Sequence, residues 1–340
     1  MITLDALLGL PPGGFTATCD DGAPRFHPAG ARLLPFDNQH AQALLAEALP
    51  MGQVAVRGLL GPAPPSRYAG EGEQTDPARL RQLGVEERQG IVVHGVHALS
   101  PRVSDLCRQL RPDPCTLLRS NLYQTWPGTF AYPLHWDTHG LIALQLAGAK
   151  RWTLYRPALP LPLPGQTLER SGLDPATLEA WCTVTLEAGD ALWVPRGWAH
   201  AVMTVGAADA PSVHITFGLH RASRRDLWAL ACEEVLDQLS TDPDFRQTDG
   251  ESGPAAPTLA AIEAAVERAR TLLQTFAAPR PFHLLRLGGQ IELRAGHPAQ
   301  DQRRSLRLPL QEEPALRAFA AGAAPTAAIR PALETLGLLD

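Results

Sequence analysis

The sequence predicts a mainly β chain carrying added helices, with a barrel or sandwich of short strands as its body. Three observations lead there. Between Thr116 and Leu219, runs of β-branched, Leu and aromatic residues are cut by Gly and Pro at short intervals. After His220 the apolar spacing changes from a period of two to a period of three and four. The stretch after residue 280 reads as short strands followed by helices, a small α+β unit.

Taken in chain order, Gln39–Leu49 has helical spacing and Val54–Val56 reads as a short strand. Residues 61–78 hold four prolines and no apolar period, so a loop is expected. Ile91–Val93 begins an apolar run, followed by a helix at about Pro101–Leu110. The strand series is Leu117–Tyr123, Leu141–Ala147, Arg151–Tyr155, Thr183–Leu186, Ala191–Val194, Ala201–Val205 and Val213–Leu219. Alternation puts Ile142, Leu144 and Leu146 on one face of its strand. A Pro-rich insert, Pro157–Pro164, and a short helix near Pro175–Trp181 interrupt the series. Ser223–Leu239 is amphipathic, with Leu227, Leu230, Val235 and Leu239 near one stripe, and Thr241–Pro257 is a polar loop. Thr258 reads as the N-cap of a second helix reaching Phe276, with Ile262, Val266, Ala269 and Leu273 in register. Strands at His283–Leu287, Gln290–Arg294 and Arg303–Pro309 and helices at Glu313–Ala320 and Thr326–Leu336 complete the chain. The expected domains are 1–221, 222–278 and 279–340.

Composition excludes several classes. The 340 residues carry a net charge of −5, against a general binder of phosphate backbones. No apolar run approaches the roughly 18–20 residues of a membrane span, and MITLDALLGLPPGG lacks the basic start of a signal peptide. Cys19, Cys107, Cys115, Cys182 and Cys232 are scattered with no CxxC, as reduced thiols in a cytoplasm would be. No dinucleotide fingerprint, phosphate loop or GxSxG elbow is present. Of the 30 basic residues a single one, Lys150, is a lysine.

The chemistry concentrates in two segments. His135-Trp136-Asp137 opens a strand region, where residues two apart share a face and can grip one ion. Gly189 to His200 has the spacing G-x5-P-x-G-x2-H, a tight turn that delivers His200 to the start of a strand. Two imidazoles and one carboxylate form the facial set of non-haem Fe(II) oxygenases, with open positions for a bidentate oxoacid and O2. Lys150 lies fifteen residues beyond His135, on the next strand, where a distal carboxylate of such a co-substrate needs a compact cation. Trp136, Trp193 and Trp198 flank the ligands and are candidates to wall the pocket, with ordinary core as the plainer reading. His139 is expected at an edge, solvated or beside the ligands, and His94 and His97 are expected to be structural.

The stretches NLYQTWPGTFAYPLHWDTHGLIALQLAGAKRWTLY, GDALWVPRGWAHAV and SVHITFGL resemble the Jumonji-type ribosomal oxygenases of the cupin superfamily. That resemblance implies a double-stranded β-helix (cupin, jelly-roll) core, then a helical dimerisation region and a small winged-helix-like C-terminal domain. It implies an Fe(II)- and 2-oxoglutarate-dependent dioxygenase using O2, with His135, Asp137 and His200 as metal ligands and catalytic centre. Lys150 matches the residue that holds the 2-oxoglutarate 5-carboxylate. Asn121 and Tyr123 match a pair lining the co-substrate pocket, and His214 a histidine near it. Gly218 departs from the pattern, since some relatives carry Ser there; Thr216 is a candidate replacement hydroxyl. The implied substrate is an Arg or His side chain of a ribosomal protein, and relatives with Lys at the Lys150 position tend to act on His. A homodimer in the cytoplasm is expected, with no direct nucleic-acid or membrane binding. The alternatives are an oxygenase acting on another protein, an RNA nucleoside or a small molecule, and a non-enzymatic metal-binding cupin scaffold.

Overall fold

The structure, a computed structural model, describes residues 2–18, 22–48, 54–58, 61–63, 82, 84–86, 90–113, 116–129, 132–207, 210–239, parts of 263–270, 282–287, 290–295, 304–312, 314–316 and 324–335. The chain divides into two compact units, 1–113 with 117–220, and 114–116 with 221–340.

The first unit runs α1 (Leu4–Leu7), α2 (Gly14–Thr18), β1 (Arg25–His27), α3 (Asn38–Ala48), β2 (Val54–Gly58), β3 (Gly61–Ala63), β4 (Gly90–Val93), α4 (Val96–Leu99), α5 (Pro101–Gln109) and β5 (Leu117–Thr125). It continues with β6 (Gly140–Ala147), β7 (Ala149–Tyr155), α6 (Leu168–Ser171), β8 (Ala180–Glu187), β9 (Ala191–Val194), β10 (Ala199–Val205) and β11 (Ser212–His220). The strands form one sheet in the order β1-β9-β6-β11-β5-β4-β2-β3 and a second in the order β10-β7-β8. From β5 to β11 the chain passes back and forth between the two sheets with antiparallel pairings, a cupin-like jelly-roll core.

Alternation along the strands divides the apolar side chains between two clusters. Ile142 and Leu144 of β6 pack with Leu4, Leu7, Phe15, Leu44 and Leu106, so the helices cover one face of the large sheet. Leu141 and Ala143 join Trp152, Leu154, Leu186, Leu192 and Val194, the layer formed by residues of both sheets. The same alternation gives Trp193 the plainer of its two expected roles. Trp193 belongs to the first cluster, edge-on to Phe15 with ring centres 5.0 Å apart, and does not wall the pocket.

Local chemistry sets the element ends. Ser100 accepts a hydrogen bond from the Val103 N–H and Pro101 occupies the first turn, so α5 begins where both rules place it. The helix expected near Pro175–Trp181 is a single 3-10 turn, Pro175–Thr177, capped by Asp174. β8 starts at Ala180, where Ala180 pairs with Tyr155, and that pairing takes Trp181 into the sheet. Residues 61–63 are a strand because they pair with β2; the rest of the expected loop up to 78 lies outside the described residues.

In the second unit α7 (Arg224–Leu239) opens with a reciprocal cap. The Asp226 N–H donates to Ser223 Oγ at 3.2 Å, and the Ser223 N–H donates to Asp226 Oδ2 at 2.8 Å. Of its expected stripe, the side chains of Leu227, Leu230, Val235 and Leu239 lie outside the described residues. So does most of Thr258–Phe276, of which Glu263, Val266 and Glu267 are helical and exposed. β12 (Phe282–Leu287), β13 (Gln290–Ala295) and β14 (Arg304–Pro309) form an antiparallel meander, and α8 (Arg330–Thr335) follows. α8 is shorter than expected, with residues 327–329 forming a turn before it; within Glu313–Ala320 the described helical residues are 314–316.

Candidate metal centre

His135 and Asp137 are not in a regular strand, which corrects the expected reason for their closeness. β6 begins only at Gly140, and His135 forms an isolated bridge to His200 on β10. The His135 N–H donates to the His200 carbonyl at 3.3 Å, and the His200 N–H donates back at 2.8 Å. The Asp137 carbonyl accepts from the Gly197 N–H at 3.1 Å, within the turn where the Trp198 N–H reaches the Pro195 carbonyl at 3.2 Å. Gly197 has φ +87° and a Cβ there would meet Pro162 at 2.7 Å, so only glycine suits this turn. Backbone bonds to the GxxH turn therefore hold the HxD segment, and the ligand atoms of His135, Asp137 and His200 all lie within 4.8 Å of one another.

Both imidazoles present the same face to that point. His135 Nδ1 lies 2.8 Å from the Pro133 carbonyl and His200 Nδ1 lies 3.1 Å from the Trp198 carbonyl. A carbonyl only accepts, so each Nδ1 carries the proton and each Nε2 keeps its lone pair for a metal. Burial, then the neighbouring His135, brings His200 down to about 4, which leaves it neutral near pH 7. Burial works to raise the Asp137 carboxyl, but His139, His135, His200 and His220 together outweigh it and hold the group below its usual value. Its oxygens stand 4.0 Å from His135 Nε2 and 3.9 Å from His200 Nε2. Two imidazole nitrogens and one ionised carboxylate, aimed at one point, fit a divalent iron.

Beside this centre lies a cluster of buried polar side chains. Lys150, on β7, is buried, and its Nζ is 2.6 Å from His214 Nδ1 on β11. Burial lowers both groups well below their usual values, so the imidazole is neutral where it meets Lys150. The His214 ring stacks on Tyr123 at 4.5 Å and 9°. Burial, with Tyr132 and Asp137 nearby, raises the Tyr123 phenol, which stays protonated. Asn121 donates from Nδ2 to the Tyr123 hydroxyl at 3.4 Å and accepts from the Gly95 N–H at 3.1 Å. Asn121, Tyr123, His214 and Lys150 are thus brought together, and the neighbour of Lys150 is His214 where Thr216 was the expected hydroxyl; Thr216 serves Tyr123.

Several neighbours of the centre were not singled out from sequence. Trp152 stacks on the His200 ring at 5.6 Å and 29° and meets His214 edge-on at 5.8 Å. Its place two residues past Lys150, on the same strand face, was the available clue. Tyr132 lies 5.7 Å from the His135 ring and its hydroxyl is 3.2 Å from His94 Nε2. The Trp136 N–H donates to the Gln166 carbonyl at 2.7 Å, fastening the Pro-rich insert beside the ligands. Trp198 packs edge-on to Trp181 at 5.2 Å. His97 is structural, its Nδ1 accepting from the Ser120 N–H at 3.2 Å. His139 is half-buried against His220, not at a solvated edge.

Residues 97–227 match the JmjC domain family, so fold and site together define a cupin-like JmjC domain. The chain is 35% identical over 138 residues to ribosomal oxygenase 1 of Gallus gallus, covering 38% of this chain and 21% of that protein. It is likewise 34% identical over 145 residues to ribosomal oxygenase 2 of Bos taurus, covering 43% of this chain and 30% of that protein. It is also 31% identical over 121 residues to the bifunctional lysine-specific demethylase and histidyl-hydroxylase NO66 of Drosophila persimilis, covering 35% of this chain and 17% of that protein. The matched region thus spans less than a third of these curated relatives. Among solved structures, YcfD, a ribosomal oxygenase from Escherichia coli in complex with cobalt and 2-oxoglutarate, shares the fold with a TM-score of 0.54 at 18% identity, over 94% of this chain and 91% of that one.

Proposed function

We propose that this chain is an Fe(II)- and 2-oxoglutarate-dependent oxygenase that hydroxylates an Arg or His side chain of a ribosomal protein. The observation that carries this reading is the convergence of two imidazole Nε2 atoms and the Asp137 carboxylate, with the buried Lys150 close by. The relatives named ribosomal oxygenase, and the histidyl-hydroxylase among them, support the substrate class.

Bound iron, 2-oxoglutarate and O2 would together supply an oxidative decarboxylation that puts one oxygen atom into an unactivated C–H bond. The protein's part is placement. His135, Asp137 and His200 would hold the iron on one face and leave the opposite positions open. Lys150 would neutralise the distal carboxylate of the co-substrate, with His214 and Tyr123 shaping the wall around it. Trp152 and the apolar layer between the sheets keep water from that end.

The test is aerobic incubation of the Fe(II)-loaded protein with 2-oxoglutarate and ribosomal proteins, following succinate release and intact masses. Expected are succinate and one ribosomal protein heavier by one oxygen atom, both lost in His135→Ala. Succinate without any modified ribosomal protein would move the substrate to another protein, an RNA nucleoside or a small molecule. Bound metal with no turnover at all would leave a metal-binding scaffold. The residues 222–278 are read as a dimerisation segment and 279–340 as a winged-helix-like domain without nucleic-acid binding, in a cytoplasmic homodimer. Light scattering at micromolar concentration should give the mass of two chains, and a monomer would overturn that.

A further inference from the structure

Trp152 of β7 is 2% exposed, and its indole N–H is buried with no acceptor among the described residues. An indole nitrogen can only donate, and native proteins rarely bury a donor that finds no use. Trp136 shows the ordinary solution, donating to the Gln166 carbonyl at 2.7 Å. Trp126 carries a second unpaired indole N–H, but it packs in the cluster on the helix side of the large sheet. The place of Trp152 is different. Strand register puts Leu154 opposite His200, Trp152 opposite Val202 and Lys150 opposite Thr204. The row that Trp152 occupies therefore lies between the row of the ligand His200 and the row of Lys150. The ring itself touches both ends: it stacks on His200 and meets His214, the neighbour of Lys150 Nζ, edge-on. Its partners across the sheet, Val202 and Val184, have no polar side-chain atom to accept its proton. An oxoacid that chelates a metal on His200 and ends on Lys150 has to pass this row, and it brings acceptor oxygens with it. We propose that Trp152 is a co-substrate-binding residue, its indole N–H donating to a carboxylate oxygen of 2-oxoglutarate. The proposal rests on the co-substrate reading above and adds to it a donor beyond Lys150.

Proton–nitrogen NMR of the Zn(II)-loaded full chain tests it without turnover. Saturating 2-oxoglutarate should move one of the seven indole N–H signals downfield and slow its exchange with water, and that signal should be missing from Trp152→Phe. Trp152→Phe keeps a ring against His200 and removes only the donor. By calorimetry it should bind 2-oxoglutarate about 10–100-fold more weakly, with Zn(II) affinity retained. Wild-type affinity for 2-oxoglutarate in the folded variant overturns the proposal. So does an equal loss of Zn(II) affinity, which would make the ring a support for His200 alone. Should the variant fail to fold, a wild-type spectrum in which no indole signal moves overturns the proposal equally. A wild-type chain that binds Zn(II) but no 2-oxoglutarate would bring down the co-substrate reading, and this assignment with it.

Discussion

Lys150 is buried among the strands that also bury Trp152 and Leu154, and burial alone pulls its pKa well below that of a free lysine. A carboxylate brought to its Nζ would favour the charged form. Lys150→Met should lower 2-oxoglutarate affinity by about 100-fold with Co(II) affinity retained, measured by calorimetry. At this scale the sequence was most informative where chemistry is scarce: a single lysine, an HxD and a GxxH stand out without any coordinates. Its partner was not legible. His214 meets Lys150 across two strands that are 64 residues apart, and the pairing depends on strand registers that no local pattern encodes.

The elements divide by what fixes their ends. The turn from β9 to β10 was readable because Pro195 and Gly197 each answer a backbone demand, a fixed φ and a positive one. The segment around His135 was not, because what holds it is a bridge to a distant strand and not its own periodicity. Gly197→Ala should test how far the turn governs the site. It forces a side chain into a left-handed conformation and against Pro162, at a cost of about 1–3 kcal/mol. The urea midpoint should fall accordingly and Co(II) affinity should fall with it, since Asp137 and His200 flank the strained bond. Stability lost with metal affinity intact would mean that the HxD segment is held from elsewhere. The short helix expected near Pro175–Trp181 is cut to a single 3-10 turn because pairing with β7 takes the chain into the sheet from Ala180.

For the whole molecule, the strand-rich stretch was legible as a barrel or sandwich, because seven short apolar runs with turns between them admit few other architectures. What the pattern could not give was the division of strands between two sheets, which decides that Trp193 faces the helices and Trp152 the site. The unit as a whole should lose stability as the medium turns acidic. Burial, then Arg119, lowers the pKa of His97 below the ordinary 6.5. The unfolded chain then takes up protons that the folded one refuses, so the free energy of unfolding decreases as pH falls below about 6.5. His214 has the same sign. The metal-free protein should melt at a lower temperature at pH 5 than at pH 7, with part of the difference removed in His97→Gln; an unchanged slope in that variant would clear His97 of the effect. The reciprocal pair of backbone bonds between His135 and His200 has a different consequence, one of timing. Neither amide can be released without breaking the contact that protects the other, so in heavy water the two should exchange at a common rate with or without metal. The empty centre would then wait for its ion already folded, and loading would be limited by the arrival of metal and not by any rearrangement of the chain.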